Sequence, residues 1–162
     1  MANMQEEPAT TLGAALEREH RDIDGGIEEF IAHSTDGAGD PAPLVRAMTG
    51  LRRHIYLEEE FLFPPLKAAG MVMPIFVMLR EHGGLWNSMD ALESQLKHAA
   101  TDESVINACR ELLALLDAHN SKEEPVIYTQ ADRILSAEAS DELREFLADG
   151  CTPEGWTCAQ AA

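Results

Sequence analysis

Two segments of this chain place a histidine and a glutamate four residues apart on the apolar stripe of a predicted helix. From residue 109 onward, apolar residues and one such pair together follow the series 109, 112, 116, 119, 123 and 126. Steps of three and four keep residues on one face of an α-helix, so His119 and Glu123 fall where hydrophobic side chains are expected. His54 and Glu58 are in the same phase as the apolar residues around them. Both pairs are therefore predicted to point into the core of a helical protein.

Apolar residues recur at helical spacing in four long stretches, and no segment shows the alternation typical of a strand. Prolines at 64, 65 and 125 are predicted to end or bend the second and fourth helices. A short fifth helix is predicted from Ala137 to Ala148, with Ser136 and Ser140 as caps. The predicted starts of the first three helices are Thr10 or Thr11, Pro41 and Pro74, and the fourth follows Cys109, Leu112, Leu116 and Val126. The expected fold is all-α, an antiparallel up-down four-helix bundle with a short C-terminal helix and tail.

The length of 162 residues is typical of one domain. The predicted organisation is a polar leader at residues 1–9, the four-helix bundle at 10–135, and the short helix with its tail at 136–162. We expect the last segment to lie against the same domain.

The charge of the chain bears on its partners. With 29 acidic and 12 basic residues the formal net charge is -17, which repels phosphate backbones and anionic lipids. Nucleic acid and membranes are therefore not expected as partners. Three cysteines without zinc-ribbon spacing argue against a disulfide framework. The start of the chain has no apolar signal segment, so a cytoplasmic location is predicted.

The two halves of the sequence resemble each other. The tripeptide Arg18-Glu19-His20 recurs at residues 80–82, and the pattern H-x-x-x-E-E begins at both His54 and His119. Such a repeat predicts two helix hairpins related by an approximate two-fold axis. The four histidines would then lie at one level of the bundle.

The histidines at 20 and 82 are also in phase with a core face, which brings the inward polar set to six. Its members are His20, His54, Glu58, His82, His119 and Glu123. Unpaired carboxylates and imidazoles in an apolar interior lose solvation worth several kcal/mol, about 2–7 for a neutral polar group, so this set requires cations. Nitrogen and carboxylate oxygen without thiolate suit iron, manganese or zinc better than copper(I), and six side chains suit two ions.

The order of these residues resembles the hemerythrin-like (HHE cation-binding) family over residues from about 10 to 131. The resemblance implies a non-haem di-iron centre inside a four-helix bundle, with two iron ions joined by an oxo or hydroxo group. It implies that Glu58 and Glu123 bridge the ions. The terminal ligands implied are His20, His54, His82 and His119.

The chain departs from the oxygen-carrying hemerythrins at two places. They carry a fifth histidine where this chain has Trp86, and a His-x-x-x-x-Asp pattern where it has Glu123 at i+4. The set of four histidines and two glutamates is closer to the domain of iron-centre repair proteins that handle nitric oxide, whose cysteine-bearing N-terminal domain is not in this sequence. The leading hypothesis is a di-iron protein that binds or reduces O2, peroxide or NO at an open iron position, with catalytic turnover left open. The alternatives are an iron or oxygen sensor or store, and a zinc-stapled structural bundle.

Other polar residues near the motifs have competing interpretations. Glu59 and Glu124 are rival bridges one position after the favoured glutamates. Tyr128 is rotated away from His119 in a regular helix, so it is not expected as a ligand unless Pro125 distorts the helix. By the same rotation His33 and His98 are expected to face solvent. The pairs Gly25-Gly26 and Gly83-Gly84 either let helices approach closely or open a path for a diatomic ligand.

Overall fold

Helices form all the regular secondary structure in the computed structural model, which describes residues 10–35, 39–98 and 103–162. The predicted all-α class is confirmed for these residues, whereas the predicted leader at 1–9 lies outside them. Two π-helical turns, Glu58–Leu62 and Glu124–Tyr128, each join one α-helix to the next without a break. The helices are α1 Leu12–Thr35, α2 Ala42–Leu57, α3 Phe63–Ala68, α4 Val72–His98, α5 Glu103–Glu123, α6 Thr129–Ile134 and α7 Ala137–Asp149.

Side-chain caps fix the starts of two helices. The hydroxyl of Thr11 accepts from the backbone N–H of Ala14 at 3.1 Å, and the carboxylate of Asp132 in α6 accepts from the first N–H groups of α1 at 3.0 and 3.2 Å. Ser136 accepts from the N–H of Ala139 and caps α7 as predicted. Ser140 lies inside α7 rather than at its start, because the helix begins at Ala137, directly after the Ser136 cap.

Among the described residues two apolar clusters occupy the interior, and a layer of histidines and glutamates separates them. Helix α1 passes from Leu12 and Leu16 in one cluster, through His20, to Ile23 and Ile27 in the other. Helix α4 passes the clusters in the same order. The α2 segment, which is α2 with the π turn and α3 that continue it, passes them in the opposite order, and so does the α5 segment, which is α5 with its π turn and α6. The polar layer therefore has hydrocarbon on both sides along the helix axes.

The predicted inward series of the fourth helix is wrong at residue 126. The side chain of Val126 is 45% exposed, whereas Ile127 and Tyr128 are buried. The π turn at Glu124–Tyr128 adds one residue to the hydrogen-bonded loop and so rotates the residues after it by about 100°. Pro125 lies within this turn and has no N–H to donate to the preceding turn, which favours the longer loop.

The segment after α7 contacts the bundle at several points. The indole of Trp156 meets the rings of Trp86 and Tyr56 edge to face, with centroids 5.5 and 5.0 Å apart. The N–H of Ala159 donates to Glu59 Oε1 at 2.9 Å. Among the described residues all three cysteines are free, Cys109 and Cys158 being buried and Cys151 exposed.

Each helix in the described ranges is too short or too polar to span a lipid bilayer.

Candidate metal centre

The six predicted site residues all point into the polar layer between the two apolar clusters. Each is nearly inaccessible to solvent, with 4% exposure at most. They come from four segments: His20 from α1, His54 and Glu58 from the α2 segment, His82 from α4, and His119 and Glu123 from α5. The fold thus brings together residues that lie up to 103 positions apart in the sequence, as counted from 20 to 123.

Their ligand atoms form two groups that we call lobe A and lobe B. Lobe A contains His20 and His54, whose Nε2 atoms are 3.1 Å apart, and lobe B contains His82 and His119. The ligand atoms of lobe A and of Glu123 lie within 4.8 Å of one another, and so do those of lobe B with Glu58 and Glu123. This is the spacing needed for several side chains to share one cation.

Each of the two glutamates faces both lobes. Glu123 Oε1 lies 3.2 Å from His20 Nε2 in lobe A, and its Oε2 lies 3.2 Å from His119 Nε2 in lobe B. Glu58 Oε1 lies 3.2 Å from His82 Nε2 and 3.4 Å from His54 Nε2. Glu123 thus presents one oxygen to each lobe, which is the geometry of a bridging ligand, whereas Glu58 approaches both lobes with the same oxygen.

A ring of outer carboxylates holds the histidines. The Nδ1 atoms of His54, His82 and His119 lie 2.8–3.0 Å from carboxylate oxygens, and His20 Nδ1 lies at a longer 3.5 Å. An N–H at Nδ1 that donates to a carboxylate leaves Nε2 with a lone pair for a cation and fixes the ring orientation. The outer partners are Glu19 for His54, Glu59 for His82, Glu81 for His119 and Glu124 for His20.

This outer ring follows the repeat in the sequence. His54, His82 and His119 are each hydrogen-bonded to a glutamate from the preceding long segment of the bundle. His20, in the first segment, faces Glu124 of the fourth at 3.5 Å without a hydrogen bond. Glu59 and Glu124, considered above as rival bridges, face away from the centre in this arrangement. A residue at i+5 is rotated by about 100° from one at i+4, so only Glu58 and Glu123 reach between the lobes.

Two basic side chains complete the support of the outer ring. Arg53 donates to Glu19 at 3.0 Å, and Lys122 makes a short contact with Glu81. Burial opposes ionisation of Glu19, but His54 and Arg53 outweigh it and lower the pKa of this carboxyl. Burial likewise opposes ionisation of Glu81, and Lys122 with His119 lowers its pKa. Both outer carboxylates are therefore negatively charged at neutral pH and accept from the histidine N–H.

Tyr128 lies at the centre of the cluster, where the rotation of a regular helix would not place it. Its side chain is 2% exposed, and its phenolic oxygen is 2.8 Å from the Nε2 atoms of both His20 and His54. It is also 3.0 Å from Glu58 Oε2 and 2.8 Å from Glu123 Oε1. The signal in the sequence was Pro125, because a distorted helix was the one condition under which Tyr128 could turn inward.

The pKa values of the central acidic groups are shifted because these groups are buried close together. Burial, and then the negative charge of Glu123, raises the pKa of Glu58 well above its usual value. For Glu123 burial acts in the same direction, but contact with His119, His20 and His82 holds its pKa well below its usual value. Burial and the two carboxylates raise the pKa of Tyr128. A cation in this layer would offset the repulsion among the acidic groups.

Several buried atoms that face the centre have no hydrogen-bond partner among the described residues. They are Glu58 Oε1, His82 Nε2 and Glu123 Oε2. Buried polar atoms are normally hydrogen-bonded, since leaving one unpaired costs about 1–3 kcal/mol. All three belong to predicted ligands and line lobe B. Their nitrogen and oxygen chemistry fits one or two hard or intermediate metal ions.

The other two histidines of the chain do not belong to the buried cluster. His33 and His98 are exposed on the surface, as expected from their rotation on the helices. The larger surface pockets are also elsewhere, but a smaller cavity of about 130 Å³ lies against His119 and Glu81.

Comparison with known families gives one match. Residues 11–131 match the family model of the hemerythrin HHE cation binding domain, which covers most of the chain. Neither the curated proteins nor the solved structures gave a match.

Proposed function

Because this chain belongs to the hemerythrin HHE cation-binding domain family, we propose that it is a non-haem di-iron protein that binds or reduces a small oxidant. The oxidant would be O2, peroxide or NO. In this proposal His20 and His54 hold one iron, His82 and His119 hold the other, and Glu58 and Glu123 bridge them. The bound irons would supply an open coordination position and a one- or two-electron redox change.

The observation that carries the proposal is the set of unpaired buried atoms at the centre. Glu58 Oε1, His82 Nε2 and Glu123 Oε2 converge in a layer that is closed to water on both sides by apolar clusters. A core that needed no ligand would be more stable with hydrophobic side chains at these positions. The arrangement of two lobes that share two carboxylates favours two ions over one.

The chain's own residues have three tasks in this function. The Nδ1–H groups of the histidines donate to the outer carboxylates, which fixes the orientation of each ring. The carboxylates of Glu58 and Glu123 would offset the positive charge of bound metal ions. The apolar clusters exclude bulk water, which protects a reactive ligand from side reactions.

We also propose a helix topology for the bundle. The alternating order in which the long segments pass the two apolar clusters supports an antiparallel up-down four-helix bundle. The domain limits at 10–135 and 136–162, a cytoplasmic location, and a small molecule rather than nucleic acid or membrane as partner stay predictions from the sequence.

Iron content tests this function directly. We expect two iron ions per chain and, in the oxidised protein, near-ultraviolet absorption from a bridged diferric pair. His54→Ala or Glu58→Ala should lose at least one iron, whereas His33→Ala should lose none, because His33 is exposed and remote from the cluster. Full two-iron occupancy in His54→Ala, or a colourless protein that contains only zinc, would contradict the proposal.

A further inference from the structure

The two lobes differ in the aromatic residue beside them. Tyr128 lies five residues after Glu123, and Phe63 lies five residues after Glu58, so the two aromatic residues hold equivalent positions in the repeat. Phe63 stacks on His82 with ring centroids 5.3 Å apart, and Tyr128 lies over His20 with centroids 5.2 Å apart. Only the second of these rings carries a group that can bind a metal.

The contacts of the Tyr128 oxygen exceed what a phenol can satisfy. One O–H donates one hydrogen bond, yet three acceptors lie within 3.0 Å of it: oxygens of Glu58 and Glu123, and Nε2 of His54, whose Nδ1–H donates to Glu19. His20 Nε2 lies 2.8 Å from the same oxygen. Electron-rich atoms that crowd one another in this way are stable together when they share a cation.

The distances in lobe A match those between neighbouring ligands of one metal. Two ligand atoms that each lie about 2.1 Å from a metal and meet at a right angle are about 3.0 Å apart. The Nε2 atoms of His20 and His54 are 3.1 Å apart, and the Tyr128 oxygen is 2.8 Å from each. Glu123 Oε1 is 2.8 Å from Tyr128 and 3.2 Å from His20.

We infer that Tyr128 is a ligand of the iron in lobe A, and that the exchangeable small molecule therefore binds in lobe B. This inference rests on the proposed di-iron function and adds a seventh protein ligand to it. Lobe A then has two imidazoles, two carboxylate oxygens and a phenolate. Lobe B has two imidazoles and two carboxylate oxygens, since Phe63 offers no donor, and so keeps more of its coordination positions free.

A surface cavity lies next to lobe B, on the outer side of His119. The cavity of about 130 Å³ is lined by Gly84, Leu115, Ala118 and His119 among others. A Cβ built on the exposed Gly84 would meet no atom within 4 Å, so this glycine leaves its side of the cavity open. Its neighbour Gly83 is different, because a Cβ there would lie 2.5 Å from the backbone oxygen of Gln160.

The visible spectrum of the diferric protein tests the tyrosine ligand. A phenolate on Fe(III) absorbs visible light by charge transfer, and excitation in that band enhances the tyrosine ring modes in the Raman spectrum. We expect both signals in the native protein and in Tyr56→Phe, and neither in Tyr128→Phe. The chain has only these two tyrosines, so Tyr56→Phe is a matched control.

The outcomes separate this inference from the function on which it rests. Two irons per chain without a charge-transfer band in the native protein, or a band that persists in Tyr128→Phe, would overturn the tyrosine ligand and leave the di-iron proposal intact. Absence of iron would overturn both. If Tyr128→Phe fails to fold, the spectra of the native protein and of Tyr56→Phe still decide the question.

Azide, a small anion that binds Fe(III), tests the assignment of the free positions to lobe B. We expect azide to bind the native diferric protein without loss of the tyrosine signals. Gly84→Leu, which fills the cavity, should slow azide association several-fold. Gly25→Leu is the control, because its Cβ is equally unobstructed but lies on α1. Displacement of the tyrosine signals by azide, or equal association rates in all three proteins, would overturn the assignment.

Discussion

Tyr128 and Phe63 hold equivalent positions in the two halves of this protein, and each lies against a histidine of the central cluster. Each also comes five residues after a buried glutamate and belongs to, or directly follows, a π-helical turn. The N–H of Phe63 donates to Glu58 O, five residues earlier, which is the hydrogen bond of such a turn. The pseudo-two-fold symmetry of the sequence is thus broken at the centre by a single hydroxyl group.

A tyrosine at position 63 would restore the symmetry and should occupy the free coordination position of lobe B. We expect Phe63→Tyr to place a second phenol beside His82, where it would compete with an added anion for the free coordination position. The iron content should stay at the native level, and azide titration of the diferric protein should show weaker binding. Phe61→Tyr is the control, because Phe61 packs against Tyr56 and Phe146 away from the cluster. Unchanged azide affinity in Phe63→Tyr would contradict the expectation.

Removing an outer carboxylate should weaken metal binding without removing a ligand. Glu59 accepts from His82 at 2.8 Å, so Glu59→Gln deprives that ring of its charged partner. We expect metal affinity to fall by about 10- to 100-fold, measured by competition with a chelator. Glu60→Gln changes the next residue, which is exposed and contacts Trp156, and should have native affinity. Equal affinities for the two variants would show that the outer contact has no influence.

The metal-free protein should be destabilised by ionisation of Glu58. Burial and Glu123 raise the pKa of Glu58 above its usual value of 4.5, so the folded chain holds this proton more tightly than the unfolded chain. The free energy of unfolding attributable to this group therefore falls as pH rises above 4.5. Glu58→Gln removes this dependence.

We consequently expect chelator-treated Glu58→Gln to melt at a higher temperature than the chelator-treated native protein at neutral pH. The difference should shrink as pH is lowered toward 4.5, where Glu58 becomes protonated in the unfolded chain as well as in the folded one. Thermal unfolding monitored by circular dichroism measures both trends. Identical melting temperatures at every pH would refute the expectation.

The three cysteines should differ in reactivity. Burial raises the pKa of Cys109 to about 11, and burial with the neighbouring charge of Glu59 raises the pKa of Cys158 to about 11. Because the thiolate is the reactive form, we expect iodoacetamide at neutral pH to label the exposed Cys151 first. Mass spectrometry of the labelled peptides checks this order. Labelling of Cys158 as fast as Cys151 would mean that the C-terminal segment leaves the bundle readily.

The helices and the phase of the six site residues could be predicted from the sequence. The three- and four-residue spacing is a local property of the sequence. It indicates which face of its helix a side chain occupies, without knowledge of the helices that pack against it. That spacing alone predicts His20 and His82 to point inward, and both are buried. The glutamates of the outer ring could not be assigned to their histidines in this way, because each partner lies on a different helix.

The sequence by itself determined an all-helical chain with six polar side chains turned inward, since helical periodicity depends on near neighbours. The tertiary structure decided that Glu59 and Glu124 lie on the outer side of histidines, that Val126 is largely exposed, and that Tyr128 reaches the centre. These outcomes depend on one additional residue in a helical turn and on distances between separate helices. Such an insertion changes the rotation of every later side chain in the helix, and its position is set by the packing of the whole bundle rather than by the spacing of its residues.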